Sequence, residues 1–442
     1  MSSEKILDSE SIEQPKTTFR YKHPWVLVFV LMLAYAIAFV DRYILNLLVE
    51  PMKRDFALSD TQISLLLGGS FAIFYAVLGL PLGRLVDMRN RKKIIAVGIS
   101  LWSVMTAFSG FAKSYFHLLL SRIGVGVGEA SLSLAAYSML SDVFPKNRLA
   151  TAISVYSLGI YIGSALAYIL GSYCIGALDE MGVVELFLVG EIYAWQLIFI
   201  LVGLPGLLIA GVVLLLREPA RKAQDLTVPS FGDTLKYLWN NCRAFFWICG
   251  GFAAFYCCVY ATMIWLPAYL MRVRGLSVED VGLISGLGMI VLPTIGILIE
   301  GRLGDYWTSK GIAQAKTKLV LVITILFIPA TFVYVLMPST KLALYALIPY
   351  GLLVSGTVGV GAAMVQELLP NRMRGLGTAI LLFMQNLIGL GLGPTLVALL
   401  TDYVFENEMA LGHSLALCSV VVLIVAFLCF YRALSLMRKA DG

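Results

Sequence analysis

The chain alternates between long apolar runs and short polar clusters. A bilayer's hydrocarbon core is about 30 Å thick and a helix rises about 1.5 Å per residue, so a spanning helix needs about 20 mostly apolar residues. Such runs fall at 24–49, 62–82, 93–112, 114–141, 149–176 and 193–216, then at 244–271, 278–300, 317–337, 342–366, 375–400 and 412–432. The pattern predicts an all-α membrane protein of twelve transmembrane helices in two six-helix bundles. Pro51, Pro145, Pro219, Pro338 and Pro370 stand at or near the breaks, where a helix ends most easily.

The longest polar stretch between runs, 217–243, divides the spans six and six. The expected organisation is a polar tail (1–23), a first bundle (24–216), a linker (217–243), a second bundle (244–432) and a short tail (433–442). Within the linker, Phe231–Trp239 has the pattern of an amphipathic helix lying on a membrane surface.

Composition agrees. Of 442 residues, 59% are hydrophobic and 14% charged, with a mean hydropathy of +0.86. A soluble domain carries about 25% charged residues, and a disordered chain has few apolar ones. Both classes are excluded. The net charge is +6, and its placement matters more than its size. Arg84, Arg89, Arg91, Lys92, Lys93, Lys146, Arg148, Arg217, Arg221, Arg302, Lys316 and Lys318 all follow even-numbered spans. The opposite side holds Lys53, Arg54, Lys113, Arg272, Arg274 and Lys341. The positive-inside rule then puts both termini in the cytoplasm. The charge is a topology signal, and no nucleic-acid partner is expected.

The seven cysteines form no CxxC pair and mostly sit in apolar runs, which suits small packing residues rather than a metal or disulfide framework. The first 22 residues hold no apolar stretch of signal-peptide type, and no Asn-x-Ser/Thr sequon occurs. A bacterial inner membrane is the expected location. No GxSxG, GxxxxGK[ST] or metal-ligand spacing appears, so neither an enzyme nor a nucleotide-driven pump is expected, and no cofactor is required.

The two halves echo each other. Gly83-Arg84-Leu85-Val86-Asp87 follows span two, and Gly301-Arg302-Leu303-Gly304-Asp305 follows span eight. Asp142 to Arg148 follows span four, and Glu367 to Arg374 follows span ten. Span five carries Gly159 and Gly163, and span eleven carries Gly389 and Gly393. Parallel repeats with a site at their interface near the midplane are a common plan for secondary transporters.

On these residues the chain resembles the major facilitator superfamily, whose loop signature Gly83 to Lys93 matches. Asn90 stands where that family often has Gly. Asp41-Arg42-Tyr43, the stretch Arg122 to Ala130 and Gly391-Leu392-Gly393-Pro394 resemble the Spinster-like branch. That resemblance implies an amphipathic, lipid-like anionic substrate of lysophospholipid or sphingoid-phosphate type. It also implies a monomer in the bilayer working by alternating access. A passive facilitator, or a carrier of small organic anions or drugs, remains the alternative.

Ionisable residues inside a membrane are costly and mark function by default. Asp41 and Arg42 in span one, and Arg122 and Glu129 in span four, are such residues. Adjacent Asp41 and Arg42 diverge by about 100° around the helix, so cross-helix pairs are expected: Asp41 with Arg122, and Arg42 with Glu129. These four are the candidate substrate and proton-coupling groups, and a static ion-pair brace is the competing reading. Gly83, Asp87, Arg91, Asp142, Arg148 and Asp305 are candidates for a conformational latch. Tyr256, Tyr260, Tyr350, Gln385 and Asn386, with Trp265, are candidate cavity-lining residues from the second half. Gly124, Gly126 and Gly128 fall mid-span, so close helix packing is expected of them rather than phosphate binding.

Overall fold

The computed structural model describes residues 23–179, 183–186, 190–221, 231–354, 357–370 and 373–441. Helices occupy every predicted span. Spans one to six are Pro24–Leu47; a run of Asp60–Ser64, Leu65–Gly69 and Ser70–Met88; Arg91–Ser109; Tyr115–Val143; Lys146–Asp179; and Ala194–Leu215. Spans seven to nine are Arg243–Arg272, Val278–Ser309 and Ala315–Leu336. Span ten comprises Thr340–Leu353 and Thr357–Leu368, with residues 355 and 356 outside the described set. Span eleven runs through Arg374–Met384, Gln385–Leu390, Gly391–Leu399 and Leu400–Val404, and span twelve is Leu411–Asp441. Among the described residues, eleven helices are long and apolar enough to cross a membrane.

Local chemistry sets several helix starts. Ser59 and Gln62 form a reciprocal capping box at the head of span two, and Asn90 caps span three through Lys93 N–H. Several helices outrun their apolar stretches, as span two does to Met88 and span twelve to Asp441. Hydropathy measures the thickness of the membrane, whereas a helix continues into water until something breaks it. Outside the pattern reading lie a short helix after span one, Val49–Phe56, a 3-10 turn at Glu408–Ala410, and an antiparallel hairpin of β1 (Val183–Leu186) and β2 (Gly190–Tyr193) between spans five and six. In the linker, Phe231–Asn241 is helical, with Leu238 buried and Trp239 exposed, while residues 222–230 lie outside the described set.

The internal repeat is visible in the packing. A Cβ at Gly159 or Gly163 would strike the backbone of Met32 or Ala36 in span one. A Cβ at Gly389 or Gly393 would strike Tyr256 or Cys257 in span seven. The same small-residue seam joins span five to span one and span eleven to span seven. The stretch Gly124 to Gly128 serves packing as expected: a Cβ at Gly128 would meet the backbone of Gly98 and Trp102 in span three.

Contacts between the halves cluster at one end of the molecule. There Gly68 of span two lies against the carbonyl of Leu390, and Ser64 Oγ reaches Thr395 Oγ1 at 3.4 Å. Gly282 of span eight packs on Ser172 and Tyr168 of span five. At the other end no heavy atom comes within 4 Å of a Cβ placed on Gly83 or Gly301, and Met88 is 78% exposed. The bundle is closed at the end bearing residues 48–61 and open at the end bearing the two repeated GRL loops.

Candidate functional site: a buried charge set and a charged seal

Span one presents Asp41 and Arg42 toward different neighbours. The Arg42 guanidinium pairs with Glu129 of span four, as expected from their spacing. It also rests on the rings of Phe39 at 4.7 Å and Phe71 at 4.3 Å, with Tyr75 at 5.9 Å. Aromatic faces stabilise a cation removed from water. Arg42 keeps 20% of its side chain exposed, whereas Glu129 keeps 3%. One carboxylate oxygen of Glu129 has no hydrogen-bond partner. A caged arginine thus faces the space between the halves, with a carboxylate buried behind it.

The second expected pair does not form. Asp41 is fully buried, and its Oδ2 accepts from Thr106 Oγ1 of span three at 3.2 Å. Its Oδ1 has no partner. Arg122 lies instead over the Phe199 ring of span six at 5.6 Å, with Nη2 unpartnered. No ion-pair contact joins Asp41 to Arg122. Spacing along two helices gives depth, but the facing third and sixth helices supply better-placed partners. Thr106 and Phe199 carry no signal in a charge-based reading, which is why they are absent from it.

From the second half, the Tyr260 hydroxyl donates to Asn386 Oδ1 at 3.3 Å, and Tyr256 and Tyr260 have ring centroids 5.8 Å apart. Gln385 and Asn386 open the π-helical turn Gln385–Leu390, and such turns re-aim side chains within a helix. Two expected members lie apart. Tyr350 is stacked on Phe327 at 5.0 Å in the packing of spans nine and ten, and Trp265 is fully buried, donating to the Pro394 carbonyl at 2.9 Å.

Of the latch candidates, Arg91 and Asp142 pair. The fully buried Arg91 also donates from Nε to Glu218 Oε1 at 2.8 Å, from Nη1 to Ser138 at 3.0 Å and from Nη2 to the Pro219 carbonyl at 2.7 Å. Glu218 was not anticipated. Gly83, Arg148 and Asp305 are not gathered with them: Arg148 and Asp305 are exposed, at an end where the halves stand apart. The side chain of Asp87 lies outside the described residues.

The closed end holds a charged cluster that the sequence reading missed. Arg272, at the end of span seven, donates to Asp60 Oδ2 at 2.7 Å and Oδ1 at 3.0 Å, and to Glu50 Oε1 at 2.8 and 3.0 Å. Lys53 reaches Asp60 at 2.5 Å and Glu408 at 2.8 Å. Asp402 of span eleven accepts from both the N–H and the hydroxyl of Thr61, each at 2.7 Å. Asp60 is fully buried, and every one of these sets links the two halves. The available signal was the scarcity of cations on this side, which makes Lys53 and Arg272 conspicuous.

Among the described residues no group of His, Cys, Asp or Glu is placed to hold a metal ion. Comparison with known proteins agrees with this architecture. The chain is 27% identical over 422 residues to an MFS-type efflux pump of Mycolicibacterium smegmatis, covering 95% of this chain and 94% of that one. It is 27% identical over 456 residues to a sphingosine-1-phosphate transporter of Danio rerio, covering 96% and 86%. A crystal structure of a bacterial homologue of the human lysosomal transporter Spinster, inward-facing and occupied, superposes with a TM-score of 0.79. It is 26% identical, with 93% of this chain and 97% of that chain covered. The family model of the Major Facilitator Superfamily matches residues 31–394, and the chain, an integral membrane transporter and not an enzyme, belongs to that family.

Proposed function

We propose that the chain moves an amphipathic, anionic, lipid-like substrate of lysophospholipid or sphingoid-phosphate type, coupled to protons, by alternating access. The observation that carries this reading is the Arg42–Glu129 pair, with Arg42 in its aromatic cage at the space between the halves. An arginine so placed can bind a phosphate or carboxylate. When the substrate claims Arg42, Glu129 is left as a buried, uncompensated carboxylate, and taking up a proton removes that cost. Tyr256, Tyr260, Gln385 and Asn386 form the less charged opposite wall, suited to the apolar part of the substrate. The resemblance to a sphingosine-1-phosphate transporter supports the same substrate class.

The working unit is two rocking bundles, 24–216 and 244–432, joined by the 217–243 linker. By the positive-inside rule the open end faces the cytoplasm and the termini lie there. The lack of any Asn-x-Ser/Thr sequon favours a bacterial inner membrane. The Lys53–Asp60–Arg272 cluster then seals the outer side. Gly83, Asp87, Arg91, Asp142, Arg148 and Asp305 would close the inner side when the cluster parts.

The test uses purified protein in liposomes with an internal pH dye. Lysophospholipids, sphingoid phosphates and small organic anions are added to wild type and to Glu129→Gln. Substrate-dependent proton flux in wild type and its loss in the variant are expected. Substrate uptake without proton flux, unchanged in the variant, would mean a passive facilitator with a structural brace.

A further inference from the structure

Two cavities lie away from the charge set, one above the other along the groove between spans five and six. The upper, of about 340 Å³, is lined by Arg54, Asp55, Tyr193 and Trp195 among others. The lower, of about 270 Å³, is lined only by Ile44, Leu166, Leu170, Leu201 and similar apolar groups with Gly171 and Cys174. Ile198 lines both. The groove from Ala194 to Pro205 spans twelve residues, eleven steps of about 1.5 Å or roughly 16 Å. That is close to half of the about 30 Å hydrocarbon core, the depth of one leaflet.

The upper cavity carries both signs of charge. Arg54 Nε pairs with Asp55 at 3.0 Å, and the arginine side chain is 68% exposed. Trp195 Nε1 fixes the other Asp55 oxygen at 2.8 Å. Tyr193 stacks on Trp195 with centroids 6.3 Å apart, and Phe56 meets the same ring edge-on at 5.6 Å. β2 ends at Tyr193, so the hairpin delivers this ring to the cavity.

We propose that this groove is a lateral binding site for one zwitterionic phospholipid of the surrounding leaflet. The phosphate lies on Arg54, the ammonium lies by Asp55 and the exposed ring of Tyr193, and one acyl chain fills the apolar cleft. Guanidinium suits phosphate, and aromatic rings suit a substituted ammonium. The combined charge of Arg54 and Asp55 is zero, which selects a zwitterion over a purely anionic headgroup. The site is separate from the space that Arg42 faces and does not depend on the transport reading.

Native mass spectrometry of the full-length protein tests it, with phosphatidylethanolamine and phosphatidylglycerol of matched chains as probes. Wild type is expected to retain one phosphatidylethanolamine in preference to phosphatidylglycerol. Arg54→Gln should reduce that retention about tenfold, equivalent to about 1.4 kcal/mol. Leu170→Trp, at a position 55% exposed, fills the cleft without disturbing the core and should abolish it. A bimane label on the exposed Cys174, which lines the cleft, should be quenched by spin-labelled phosphatidylcholine and less so in Leu170→Trp. Equal retention of both lipids, or wild-type retention in both variants, would overturn the proposal and leave ordinary annular lipid.

Discussion

Replacing Arg272 by Gln tests whether the charged cluster holds the closed end shut. The guanidinium makes four contacts of 2.7–3.0 Å to Asp60 and Glu50. Glu50 is 35% exposed, so water rehydrates it and its share is small. Asp60 is fully buried and keeps only Lys53 at 2.5 Å. Removing one partner of a buried pair costs about 3–5 kcal/mol, and the remaining lysine argues for the lower end. Since about 1.4 kcal/mol is tenfold, the closed arrangement loses roughly two orders of magnitude against the open one. The assay is hydrogen exchange on residues 57–66 and 386–396, whose amides are covered by the contact between spans two and eleven. Their exchange should quicken by up to that factor, and the double variant Arg272→Gln/Asp60→Asn should recover most of the protection. Exchange in Arg272→Gln within twofold of wild type, or no recovery in the double variant, would refute the reasoning.

Other substitutions follow from the same geometry. Asp142→Asn leaves the buried Arg91 with Glu218 and should cost about 1–3 kcal/mol, while Asp142→Asn/Glu218→Gln together should cost about 3–5 kcal/mol, read as a fall in melting temperature. Gly163→Ala drives a methyl into the Ala36 backbone, which cannot yield, and should destabilise by about 1–3 kcal/mol in the same assay. Gly83→Ala meets nothing in this conformation and should leave the melting temperature unchanged or slightly raised. Its transport rate should nonetheless fall, because in the proposed cycle the latch closes around that position.

The sequence by itself determined the helices, their number and their pairing into two similar halves. Each of these follows from a local rule: apolar length against membrane thickness, breakers at the ends, and glycines spaced to let backbones meet. The Arg42–Glu129 pair was also legible, since adjacent Asp41 and Arg42 point to different neighbours and an intramembrane arginine needs a carboxylate on another helix. The β1–β2 hairpin was not legible, because a four-residue strand outside the bilayer leaves no periodicity to read. Tertiary structure alone decided that Asp41 takes Thr106 while Arg122 takes the Phe199 ring, since that depends on which faces of spans three and six turn inward. It alone gathered Glu50, Lys53, Asp60, Arg272 and Glu408, five residues from opposite halves of the chain, into one cluster. Such contacts exist only while that end is closed, and a sequence common to every conformation cannot specify which end that is.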